Sequence, residues 1–128
     1  MSNRNPLVAA LVLAVAIPAL ASAPAQASDE VRRSGSCTGS ASVKIKAKHD
    51  DGRIELEAEV DSNRVGQRWR WVFRHNGYVS FTGRAITRAP SGSFEVERRA
   101  VNARGIDAFK FRAKHRASGQ VCVVRVKL

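Results

Sequence analysis

The stretch SVKIKAKHDDGRIELEAEVD, Ser42 to Asp61, switches between apolar and charged residues at nearly every step. Val43, Ile45 and Ala47 fall on one side of an extended chain and Lys44, Lys46 and Lys48 on the other; Ile54, Leu56, Ala58 and Val60 then oppose Glu55, Glu57 and Glu59. A period of two separates the sets onto opposite faces of a strand, whereas a helix would scatter both around its axis. The run reads as two half-buried strands. His49-Asp50-Asp51-Gly52 supplies turn chemistry between them, with Gly52 free to take positive φ. If the strands pair about that turn, a lysine row meets a glutamate row, in cross-strand pairs worth roughly 0.2–1 kcal/mol each. Those charges specify register.

The same period recurs in GQRWRWVFRHNGYVSF, Gly66 to Phe81, where arginines alternate with rings. Interleaved cations and aromatics can bind nucleic acid, but they also suit a hairpin with one buried face. A two-residue Asn76-Gly77 turn sets Trp71 opposite Thr82 and Phe73 opposite Ser80. A three-residue loop, His75-Asn76-Gly77, sets Phe73 opposite Val79 and Trp71 opposite Phe81. The second register is preferred, because it gathers Trp69, Trp71, Phe73, Val79 and Phe81 on one face, and burial of one face fixes register. The rings are then core, and Tyr78 is the aromatic left outside.

Further alternation follows in SFEVERRAV (Phe94 and Val96 inward), IDAFKFRAKH (Phe109, Phe111 and Ala113 inward) and VCVVRVKL (Cys122, Val124 and Val126 on one face). No window has sustained helical periodicity. About seven short strands separated by turn signals predict an all-β fold, a single antiparallel β-sandwich. An immunoglobulin-like arrangement leads, with a small barrel second.

The first 27 residues have the order of a secretory signal peptide: Arg4, an apolar run from Leu7 to Leu20, then small residues ending at Ala27. The run is shorter than the roughly 20 apolar residues of a membrane span, and Pro18 interrupts it. The expectation is residues 1–27 as signal peptide and 28–128 as one secreted domain, with no transmembrane segment in the mature form. Two cysteines follow, Cys37 and Cys122, and outside the reducing cytosol a disulfide between them is the natural inference.

The chain carries 22 Lys and Arg against 11 Asp and Glu, a formal net charge of +11. The excess is uneven: residues 28–61 hold six cations and eight acids, whereas 62–128 hold fifteen cations and three acids. The candidate surface is therefore basic: Arg68, Arg70, Arg74 and Arg84 on the hairpin, then Lys110, Arg112, Lys114 and Arg116 on and just past a later strand. Clustered cations attract polyanions and release counterions on binding. With Tyr78 alone exposed, stacking on bases has little support, and nucleic acid is not the expected partner.

Catalytic constellations are not expected. His49, His75 and His115 share no strand, so no metal set converges. Gly35-Ser36-Cys37-Thr38-Gly39 matches a nucleophile elbow in letters, but the elbow needs a following helix, and a disulfide would consume the thiol. Glu55, Glu57 and Glu59 face lysines on a solvated surface rather than a cleft. The expectation is a non-enzyme without cofactor.

RSGSC, DDGRIE, GQRWR, the HNG turn and APSGSFEVERR, with the late cysteine, resemble a group of small uncharacterised secreted proteins of high-GC Gram-positive bacteria. The resemblance runs along nearly all of residues 28–128 and implies a signal peptide, a compact β-rich domain and one disulfide. It carries no established activity and hence no functional residues. The functional expectation is a secreted β-sandwich that adheres through its basic face to an anionic polymer or another secreted protein at the cell envelope. The alternative is a small secreted protease inhibitor or toxin-like effector, with RAITRAPSGS as the segment an inhibitor would present.

Overall fold

Alternation becomes nine strands in the computed structural model, which describes residues 3, 9–21 and 29–128. In chain order they are β1 (Val31–Ser34), β2 (Ser36–Cys37), β3 (Ser42–Asp50), β4 (Arg53–Asp61), β5 (Arg68–His75), β6 (Tyr78–Ile86), β7 (Ser93–Val101), β8 (Ala108–His115) and β9 (Val121–Lys127). They form two sheets, β1-β3-β4-β7 and β2-β9-β8-β5-β6, with every neighbouring pair antiparallel. The protein is an all-β antiparallel sandwich. The two strands beyond the seven expected are the short β1 and β2. Residues 9–21 carry no regular secondary structure and are exposed, and among the described residues no helix is long and apolar enough to cross a membrane. Arg4 and the expected cleavage position after Ala27 lie outside the described residues.

Connectivity sets which surfaces meet. Strand β3 turns straight back into β4 within one sheet; the chain then crosses to the β5-β6 hairpin, returns as β7 and crosses again for β8-β9. At the start, Gly35 carries the chain from one sheet to the other, donating its N–H to Val43 O at 3.0 Å. A Cβ there would stand 2.0 Å from the carbonyl oxygen of Val123, so only glycine passes so close to the β9 backbone.

The inward residues are those the alternation selects. Val43, Ile45, Ala47, Ile54, Leu56, Ala58 and Val60 from one sheet meet Trp69, Trp71, Phe73, Phe109, Phe111, Val124 and Val126 from the other, all buried. Burial of one large apolar side chain stabilises by about 1.5–3 kcal/mol, which makes this layer the main source of stability. Phe73 and Phe111 lie with centroids 4.8 Å apart, and Trp69 reaches Phe94 across the sandwich at 6.1 Å.

Two sequence expectations on pairing have different outcomes. The β3-β4 hairpin has the expected register, with Lys44 opposite Glu59, Lys46 opposite Glu57 and Lys48 opposite Glu55. The β5-β6 hairpin has neither register considered for it. Its turn is the two-residue one: His75 pairs with Tyr78, and Asn76 and Gly77 both have positive φ (49° and 87°), as a type I′ turn requires. A β-bulge between Phe73 and Arg74 then shifts the ladder, so Phe73 faces Phe81 and Trp71 faces Gly83. Ser80, the extra residue, donates its hydroxyl to Phe73 O at 3.2 Å. The bulge reconciles two demands, a tight Asn-Gly turn and an inward, half-buried Phe81, that a regular ladder cannot meet together. Val79 consequently leaves the core side and is exposed, paired with Arg74. Tyr78 belongs to the side of His75.

Candidate polyanion-binding face

Where the rings of β5 and β8 go inward, their cations must go outward. Cross-strand pairing then stacks those cations in rows. Arg70 lies between Arg84 of β6 and Lys114 of β8; Arg74 lies opposite Lys110, which lies opposite Arg125 of β9. Between these rows, Val72 separates Thr82 from Arg112. Arg116 continues the ladder past the end of β8, donating its N–H to Arg68 O at 3.1 Å. All eight residues expected from the sequence therefore share the outer face of the five-stranded sheet. Seven are exposed and Lys110 is half-buried.

Two residues that sequence reasoning missed join them. Arg125 and Lys127 leave β9 on the same side, because Cys122, Val124 and Val126 turn inward. The signal was present in VCVVRVKL, whose inward set was recognised without its complement. Among the described residues, none of the ten cations makes an ion pair, and no Asp or Glu stands on the outward positions of these strands.

Shallow depressions mark this face. One is lined by Arg64, Arg68 and Arg116 together with Val65, Gln67 and His115; a second, sharing Arg116, is lined by Arg70 and Lys114. A third lies toward the opposite end, between Arg74, Lys110, Arg125 and Lys127. The first two are open and cationic, a shape that holds charge at the surface without enclosing a small molecule, whereas the third has an apolar lining that includes Ala108, Phe109 and Val126.

The outer face of the other sheet is charged differently. Lys46 Nζ reaches Glu57 at 2.8 Å, Lys44 reaches Glu59 at 3.5 Å and Lys48 reaches Glu55 at 3.7 Å. The hydrogen bond that the Lys46 ammonium donates to Glu57 holds it above the ordinary lysine range, against the opposing effect of burial. Farther across, β7 sets Glu95 opposite Glu59 and Glu97 opposite Glu57. Desolvation by its neighbours raises the carboxyl of the exposed Glu95 above the usual carboxylate range, and Glu57, Glu97 and Glu59 push it the same way. Glu55, Glu57 and Glu97 come close enough that their carboxylate oxygens lie within 4.8 Å of one another.

The remaining sequence candidates are structural. Cys37 and Cys122 form a disulfide between directly paired positions of neighbouring strands β2 and β9, with Cα atoms 4.0 Å apart. It staples one sheet edge, and Gly35 to Gly39 forms no strand-to-helix elbow. His75 Nε2 lies 2.6 Å from Oδ1 of Asp107, which also accepts the Ala103 N–H at 3.0 Å; the pair pins the 102–107 loop. His115 stacks on Trp69 at 5.3 Å and meets the Ser118 hydroxyl at 2.6 Å. Asp50, beside His49, pairs with Arg99 at 3.5 Å. The three histidines stand in separate surroundings. Arg98, not singled out by the sequence, points inward from β7 with its guanidinium 4.8 Å from the Trp71 ring. No protein-family model, curated protein or solved structure matches this chain. The reading of the face rests on its own chemistry.

Proposed function

We propose that this is a secreted, non-enzymatic protein that adheres to an anionic polymer of the cell envelope through the outer face of its five-stranded sheet. One observation carries the reading: ten cations share that face without an acidic side chain between them, while Lys44, Lys46 and Lys48 on the opposite face each pair with a glutamate. Holding like charges together costs free energy in the unbound protein, and a polyanion removes that cost while releasing its own counterions. The apolar leader and the disulfide support export. The rings of β5 and β8 lie beneath the sheet, which favours a ligand recognised by charge over one recognised by stacking.

The test is retention on immobilised anionic wall polymer. Binding should be strong at about 0.05 M salt and lost by about 0.5 M, as screening shortens the reach of the face. No retention at low salt, or retention unaffected by salt, would overturn the reading.

A second reading, a small protease inhibitor, draws on the RAITRAPSGS segment. Thr87 there is buried and exchanges hydrogen bonds with Gln67 and Gly66, while Arg88, Ala89, Pro90 and Ser91 project into solvent. Incubation with a panel of secreted proteases separates the readings: an inhibitor stays intact and blocks one of them.

A further inference from the structure

The cations are not spread evenly over the face; they run in lines along the strands. On β8 they occupy alternate positions without interruption, Lys110, Arg112, Lys114 and then Arg116. On the neighbouring β5, Arg68, Arg70 and Arg74 form a parallel line, and its gap at Val72 lies directly beside Arg112. The flanking strands are sparser. The outward positions of β6 include Thr82 and Ile86, and those of β9 include Val121 and Val123. The charged track is thus two strands wide and follows the β5-β8 seam. Two cationic depressions adjoin along it, one lined by Arg70, Lys114 and Arg116 and the next by Arg68 and Arg116.

Outward residues on one strand recur every two positions, about 6.7 Å apart, so Lys110 to Arg116 spans about 20 Å. Two residues of extended chain contain six backbone bonds. A polymer whose phosphates are joined through a three-carbon polyol also places six bonds between successive phosphorus atoms: P–O, O–C, C–C, C–C, C–O and O–P. Bond lengths are similar, so an extended polyol-phosphate chain repeats its charge at about the spacing of the cations on one strand. In a double helix the same six-bond repeat winds around the axis, advancing only about 3.4 Å along it per phosphate, so its phosphates leave a straight row after a few steps. A nucleic acid single strand has a six-bond repeat too, but its affinity in single-strand sites is built on aromatic platforms, which this track lacks.

Resting on the polyanion reading, we infer that the ligand is a linear polyol-phosphate chain, such as poly(glycerol phosphate), lying extended along the β5-β8 seam with one phosphate per cross-strand row. Arg112, beside the Val72 gap, keeps the track continuous.

The test titrates the full protein with glycerol-phosphate oligomers of about two to eight units, at a salt concentration where screening is weak. Affinity should rise at least about tenfold up to about four or five units and then change little per added unit, because the row is finite. Replacing Arg112 and Lys114 by serine should weaken binding about 30-fold or more, whereas replacing Arg84 and Lys127, on the same face but off the seam, should weaken it less, by about fivefold. Arg112→Lys, which keeps the charge on the seam, should bind within about threefold of the parent and controls for damage to the fold. Equal losses from on-seam and off-seam pairs, or tripolyphosphate binding as tightly as the longest oligomer, would overturn the alignment while leaving a charge-recognising face in place. An oligothymidylate of equal phosphate number binding tighter than the glycerol-phosphate chain would overturn the polyol assignment. Failure of every polyanion to bind at low salt would remove the functional reading itself.

Discussion

The two outer faces of this sandwich use the same residue types to opposite ends. On β3 and β4, lysine stands opposite glutamate in all three outward rows from 44 to 48, and the charges spend their field on each other. On β5 and β8, arginine stands opposite lysine, and the field is left in the solvent. Pairing makes register; like-charge alignment weakens the sheet that carries it and leaves a surface able to act on something else. The five-stranded sheet offsets that repulsion with what lies beneath, since its inward face holds most of the rings and its edge carries the disulfide.

The disulfide gives the largest test of that contrast. Replacing Cys37 and Cys122 by serine should lower unfolding free energy by about 4.5 kcal/mol in the chain-entropy picture, given a sequence separation of 85, measured by denaturant titration. Hydrogen exchange should then show the loosening concentrated at β2 and β9, with β3 and β4 retaining their protection relative to the new global stability. A uniform loss would mean that the staple does not serve the basic sheet in particular. Next in size, Arg112→Glu with Lys114→Glu should weaken wall-polymer binding about 100-fold, or about 2.7 kcal/mol, without lowering the melting temperature, because each change puts an acid among cations. A drop in melting temperature would show that the row costs nothing to hold.

The mirror experiment is Lys46→Glu on the paired face. It removes the 2.8 Å contact with Glu57 and sets two acids opposite each other, so stability should fall by about 1 kcal/mol while polymer binding changes by less than about threefold. The smallest effect concerns Glu95. Its folded-state pKa is raised, so the folded protein holds that proton more tightly than the unfolded chain does. The destabilisation is therefore absent below the ordinary carboxylate range and grows as pH rises through the unfolded and then the folded pKa. Glu95→Gln should stabilise by about 0.3 kcal/mol at pH 7 and by nothing measurable near pH 3, compared by thermal melts at both pH values. An equal gain at both would assign the effect to something other than charge.

How far the sequence discloses these faces depends on how local each determinant is. The β3-β4 register is legible because hydrophobic alternation, opposed charges and a turn with Gly52 all select one pairing. In β5-β6 the local signals conflict: Asn76-Gly77 asks for a two-residue turn, and inward rings ask for the other parity. A bulge at Ser80 satisfies both, and no single-residue signature announces it. Gly83 holds a trace of the outcome, since a Cβ there would lie 2.4 Å from the Trp71 ring. That requirement becomes visible only once Trp71 and Gly83 are known to be opposite. The eight basic residues could be assigned to one face because they alternate with buried rings, but their junction into a continuous seam depends on β8 pairing with β5, across a separation that parity cannot read. Arg98 inverts the usual sign of such reasoning: it sits at an inward position, and its place over the Trp71 ring is decided by the opposite sheet.

The bridge between β2 and β9 has a mechanical meaning. Tension applied to the chain before Cys37 and after Cys122 passes directly through the covalent link between them, and strands β3 to β8 lie outside the line of force. Pulled in this way, the oxidised protein can extend only by the residues outside the link, while the cationic seam of β5 and β8 stays folded and unloaded. Reduction would place that seam in series with the pull.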